Sequence, residues 1–228
     1  MSITLTQQKI GNSGGYNNTN AQAFTSNVTA GSMLFIGIIA GAGRTVASVV
    51  DTRSNTWVST GTPINSTGER KSWGYYVNNA VSGSTTVTVT FGAGEFEDSI
   101  VFLMELSGVV TTSALDQYVA TSDGSFLNTH SSGTTGTTSQ ANEIAITFVG
   151  SSSGGTDPLF TVPSGYTGLT QGTAFDVYTW GAIAYKLLTA TGTQTASFGS
   201  TSYVYGQTIL ATFKQASSTT NSNFFQLM

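Results

Sequence analysis

The sequence predicts an all-β chain, and three observations carry that prediction. Short strand-like runs recur along its whole length. Turns rich in Gly, Ser, Thr and Asn separate them at regular intervals. No segment holds a helical period for long; the nearest candidate, Ala182 to Leu188, is short and continues a strand-like pattern. Many short strands at this spacing define a β-sandwich or barrel rather than a mixed fold.

The elements follow in order. Ile3 and Leu5 alternate with polar residues, the period of a half-buried strand. MLFIGIIA (33–40) is a continuous apolar run. TVASVVD (45–51) leads through TRSN into TWVST (56–60), which reads as a hairpin with Ser and Asn at its turn. SWGYYVN (72–78) follows, then STTVTVTF (84–91) in strict alternation, and SIVFLMEL (99–106) closes the set. The runs 33–40 and 100–104 leave neither strand face polar. Something must therefore cover both faces, either another part of this chain or another subunit.

The second half repeats this pattern. YVNNAVSGSTTVTV from Tyr76 resembles YKLLTATGTQTASF from Tyr185, an offset of 185 − 76 = 109. Gly83 then falls on Gly192, and Ser99-Ile100-Val101 on Thr208-Ile209-Leu210. AGSMLFIGIIAG (30–41) matches ANEIAITFVG (141–150) with a small gap. The reading is of two tandem, pseudo-repeated, jelly-roll-like β-sandwich units over 1–110 and 111–214. A polar tether with an apolar end follows over 215–228. One larger sandwich made of two pseudo-symmetric halves is the alternative.

Composition narrows function by exclusion. Of 228 residues 39% are apolar and 11% aromatic, enough for a core. Only 8% are charged, against about 25% in an ordinary soluble domain. Hydroxyls and amides therefore solvate the surface. Seven Lys and Arg against eleven Asp and Glu give a net charge of -4 and no basic patch for phosphates, so no nucleic-acid partner is expected. With no cysteine, disulfides and thiolate metal sites are ruled out. The longest apolar stretch, Met33 to Ala40, falls well short of the ~20 residues of a spanning helix, so no membrane partner is expected. The opening MSITLTQQKI lacks the basic and apolar regions of a secretory signal. A chain made in a cytoplasm, with a surface suited to life outside it, fits a virion component.

Four stretches carry a resemblance: Gly31 to Ile36, Ser48 to Trp57, Thr86 to Thr90 and Glu105 to Asp116. Together they resemble a recurrent β-sandwich module of tailed-bacteriophage structural proteins and large bacterial surface proteins. The resemblance spans most of the chain and is structural, not catalytic. It implies a scaffold for display or assembly. Where the module usually has glycine before the turn Asn, this chain has Ser54.

The candidate sites are few. The C-terminal Phe224, Phe225, Leu227 and Met228 form an apolar peg behind a flexible polar tether. Burial of such side chains is worth roughly 1.5–3 kcal/mol each, which makes the peg an expected assembly contact. Glu95, Glu97 and Asp98 are a solvated acidic loop, a calcium site, or, least of all, a glycosidase pair. No other cofactor is expected. Trp57, Trp73, Trp180 and Tyr203 are sugar-stacking candidates if exposed and core if buried. The single histidine, His130, lies in the Gly/Ser/Thr-rich NTHSSGTTGTT with no nucleophile motif nearby and reads as an ordinary exposed loop residue. The resulting expectation is a non-enzymatic virion structural protein, a capsid decoration or cement or a tail or fibre component. Its partners would be copies of itself and other virion proteins. The alternative is a carbohydrate-binding module or adhesin recognising a host surface glycan.

Overall fold

The structure is a computed structural model that describes residues 2–13, 17–66, 70–92, 98–152, 158–173 and 179–217. These form sixteen strands and no helix. The first half holds β1 (Thr4–Ser13), β2 (Thr19–Ala23), β3 (Met33–Gly41), β4 (Val46–Asp51), β5 (Val58–Ser59), β6 (Ile64–Ser66), β7 (Arg70–Val77), β8 (Thr86–Phe91) and β9 (Ser99–Ser107). The second holds β10 (Leu115–Ser122), β11 (Leu127–Thr134), β12 (Asn142–Ser152), β13 (Phe160–Thr161), β14 (Thr167–Thr173), β15 (Thr179–Thr189) and β16 (Thr195–Lys214). The Ala182–Leu188 stretch lies inside β15.

The strands build two large antiparallel sheets and two small outer layers. The first large sheet runs β1-β9-β3-β7-β5, with β6 also on β7; the second runs β10-β16-β12-β15-β14. The outer layer of the first half is β2-β8-β4. In the second half, β11 and β13 flank the N-terminal part of β16, both pairing at Gly199. The C-terminal part of β16, from Tyr205, belongs to the large sheet beside β12.

Strand periodicity explains the layering, because successive side chains point to opposite faces. Leu34, Ile36, Ile38 and Ala40 of β3 pack with Val87, Val89 and Phe91 of β8, inside the first half. Met33, Phe35 and Ile39 point the other way, into a cluster shared with Ile144, Ile146 and Phe148 of β12 and Ile209, Ala211 and Phe213 of β16. The two large sheets thus face each other across one apolar layer. Phe35 meets Phe148 and Phe213 edge-on at 6.2 and 6.0 Å, and Tyr76 meets Phe213 at 5.3 Å. This accounts for the fully apolar run 33–40: its own outer layer covers one face and the other half of the chain covers the other. On the far side, Val149, Trp180, Ala182, Phe160 and Phe198 form the core of the second half.

Glycines let the large sheets close on each other. A Cβ on Gly37 would lie 3.2 Å from the Phe148 ring, and one on Gly181 would lie 2.4 Å from Ile39 Cδ1. Either side chain would hold the facing layers apart.

Candidate functional site

The residues nominated from sequence land in different environments. Phe224, Phe225, Leu227 and Met228 lie outside the described residues, as do Glu95 and Glu97. Asp98 is described and is buried just before β9. Among the described residues, no three His, Asp or Glu side chains converge as a metal site. Trp73 and Trp180 are 4% and 6% exposed, in the cores of the first and second halves. Both are therefore corrected as sugar platforms, because stacking needs an open ring face and theirs are covered by neighbouring strands.

Trp57 is half-buried and tied to the 51–57 turn. Its indole Nε1 donates to Asp51 Oδ2 at 2.8 Å, while Asp51 Oδ1 accepts from the Arg53 and Asn55 backbone N–H groups. Asn55 Oδ1 in turn accepts from Val81 N. Ser54 has φ of 57°. That is the left-handed region, which glycine adopts most readily.

Tyr203 is different, with 68% of its surface exposed. Phe126, Leu127 and Leu159, on segments that meet the same stretch of β16, are also exposed. Leu127 is in register with Val204, and the Phe126 ring lies 4.1 Å from that of Tyr205. The Leu159 carbonyl accepts from Thr201 N at 3.1 Å.

Beside this patch lies a constellation that the sequence reading missed. His130 is not an exposed loop residue: it is fully buried in β11, in register with Phe198 and edge-on to the Phe160 ring at 6.0 Å. Strand alternation turns its side chain inward, where both ring nitrogens find partners. Nδ1 lies 2.5 Å from Asp123 Oδ2, and Nε2 lies 3.0 Å from Ser200 Oγ. Asp123 Oδ2 also accepts from Gly206 N at 3.0 Å. A Cβ on Gly206 would sit 2.3 Å from His130 Nδ1, so only glycine permits this approach. The Ser200 hydroxyl is 2.7 Å from the Ser202 carbonyl, a second acceptor for its proton.

Ser200 is partly exposed and sits on a bulge. Pairing shifts from Leu127↔Val204 to Thr129↔Gly199, so β16 carries three extra residues there. Such bulges re-aim side chains out of strand alternation. Asp123, His130 and Ser200 are thus in the order acid, base and hydroxyl. Only Asp123 and His130 are near in sequence, and no short motif marks Ser200.

Three other carboxyls are structural in their surroundings. Glu105 is fully buried and accepts from Thr29 N, Ser32 Oγ and Gln7 Nε2, joining β9 to β1 and to the loop before β3. At Asp116, burial acts upward. Hydrogen bonds from Ser139 N and Oγ, at 2.7 and 2.6 Å, outweigh it and hold the carboxyl below the usual range. Glu143, 1% exposed at the start of β12, is pushed up to about 7, chiefly by burial and further by the Asp116 charge.

No family model matches the chain, and neither the curated proteins nor the solved structures yield a match.

Proposed function

We propose that this is a structural protein of a phage-like particle, built from two copies of one β-sandwich module, that assembles with copies of itself and other particle proteins. The observation that carries the reading is the set of exposed apolar side chains Phe126, Leu127, Leu159 and Tyr203, carried on β16 and the segments bonded to it, in a hydroxyl-rich, charge-poor chain. Water tolerates such surface poorly, and clustered apolar side chains on a stable scaffold mark an interaction face. The scaffold suits the role, since both faces of its central strands are buried and its outer layers are free for contact. The C-terminal sequence adds a second contact by its composition, a polar tether ending in Phe224, Phe225, Leu227 and Met228.

A second reading draws on the same patch. Tyr203 offers an open ring beside Ser and Thr hydroxyls, the chemistry that stacks on a sugar and bonds its edges. The deciding experiment is the mass of the protein in solution, for the full chain and for a version ending at Ser222. Assembly predicts a defined oligomer for the full chain and a folded species of lower mass for the truncation. Two identical folded monomers would overturn the self-assembly reading. A glycan-array signal lost in Tyr203→Ala would then establish the second.

A further inference from the structure

The geometry points to Ser200 as an acyl-accepting nucleophile, with His130 as its base and Asp123 as the positioning residue, acting on small uncharged esters. This goes beyond the assembly reading and stands independently of it. Three observations carry it. The Asp123 Oδ2–His130 Nδ1 and His130 Nε2–Ser200 Oγ separations, 2.5 and 3.0 Å, are those that an activated hydroxyl requires. The base is fully enclosed, shielded from water by Phe160 and the strands around it, whereas Ser200 is partly exposed on its bulge. The segments that build the site, 121–134, 158–163 and 195–207, contain no Lys or Arg, so they offer no cationic side chain for an anionic substrate. The exposed ring of Tyr203, three residues further along β16 from Ser200, suits a neutral one instead.

The chemistry balances with water as the only co-reactant. The Ser200 hydroxyl turns from the Ser202 carbonyl to His130 Nε2, and Asp123 holds the Nδ1–H tautomer that leaves Nε2 free to accept. Ser200 Oγ bonds to the ester carbonyl carbon as its proton passes to Nε2. The carbon–alkoxy bond then breaks, and the alcohol leaves with that proton. Water next attacks the acyl-serine, giving a proton to Nε2. The Oγ–carbon bond breaks, a carboxylic acid departs, and the proton returns to Ser200.

The test uses the intact full-length chain with a fluorophosphonate probe, read by intact mass and peptide mapping, together with turnover of p-nitrophenyl acetate. The expected result is one adduct per chain, on Ser200, absent in Ser200→Ala and kept in the Ser202→Ala control. Asp123→Asn lowers kcat for the ester by about 100-fold or more while KM stays within a few-fold. No adduct on Ser200 in the folded wild type, or adducts scattered thinly over surface hydroxyls, would overturn the assignment. So would an Asp123→Asn variant that folds normally and reacts at the wild-type rate. Because the wild-type labelling site decides on its own, a variant that fails to fold does not shelter the proposal.

Discussion

Glu143 is a buried acid beside another acid, and its position has a thermodynamic consequence. In the folded chain its carboxyl titrates near 7, against 4.5 for an ordinary glutamate. The folded state therefore keeps a proton that the unfolded chain gives up at lower pH. The associated stability is fully present below about 4.5 and is lost as pH rises through about 7, a change of roughly 3 kcal/mol. Urea midpoints measured from pH 5 to pH 8 should fall with rising pH, and Glu143→Gln should flatten the curve. A wild-type profile that is flat, or that rises over this range, would contradict the assignment. At this scale the sequence shows residue types but not their surroundings. Trp73 and Trp180 carry the same aromatic signal as Tyr203, yet only Tyr203 is open to solvent. His130 looks like a loop residue because Ser, Thr and Gly around it suggest a turn, while the cross-strand partners that enclose it come from about 70 residues away.

At the scale of elements, apolar alternation located most strands because each strand buries one face or both. The runs 33–40, 72–78, 84–91 and 99–106 fall on β3, β7, β8 and β9. The length of β16 was less legible. It runs 20 residues through two layers, and its opening TASFGSTS (195–202) reads locally as turn sequence. Its pairing with β11, β12 and β13 overrides that local preference. The close approach of the two large sheets predicts a sharp contrast between glycines. Gly181→Ala must displace Ile39 Cδ1 and crowd Phe102, and should cost about 1–3 kcal/mol by denaturant unfolding. Gly192→Ala meets nothing within 4 Å and should change stability by less than about 0.5 kcal/mol. Equal effects at the two positions would mean that the sheets are not pressed together at Gly181.

On the scale of the whole molecule, the central feature is the apolar layer that both halves share. Phe35, Ile39, Phe102 and Met104 come from the first half, and Ile144, Phe148, Ile209 and Phe213 from the second. All eight are at most 2% exposed, so neither half could lose its partner without opening a face of its largest sheet to water. The apolar runs in the sequence announced that both strand faces are covered. They did not say by what, because the facing strand lies more than a hundred residues away. The polar contact of Tyr118 Oη with the Thr62 carbonyl, at 2.5 Å, fastens β10 to the loop between β5 and β6 and adds to the same join. Two halves joined this way should unfold as one unit. Differential scanning calorimetry of the full chain tests this most directly. The shared apolar layer predicts one transition whose calorimetric and van't Hoff enthalpies agree. Two resolved transitions, each carrying about half the enthalpy, would contradict the shared core.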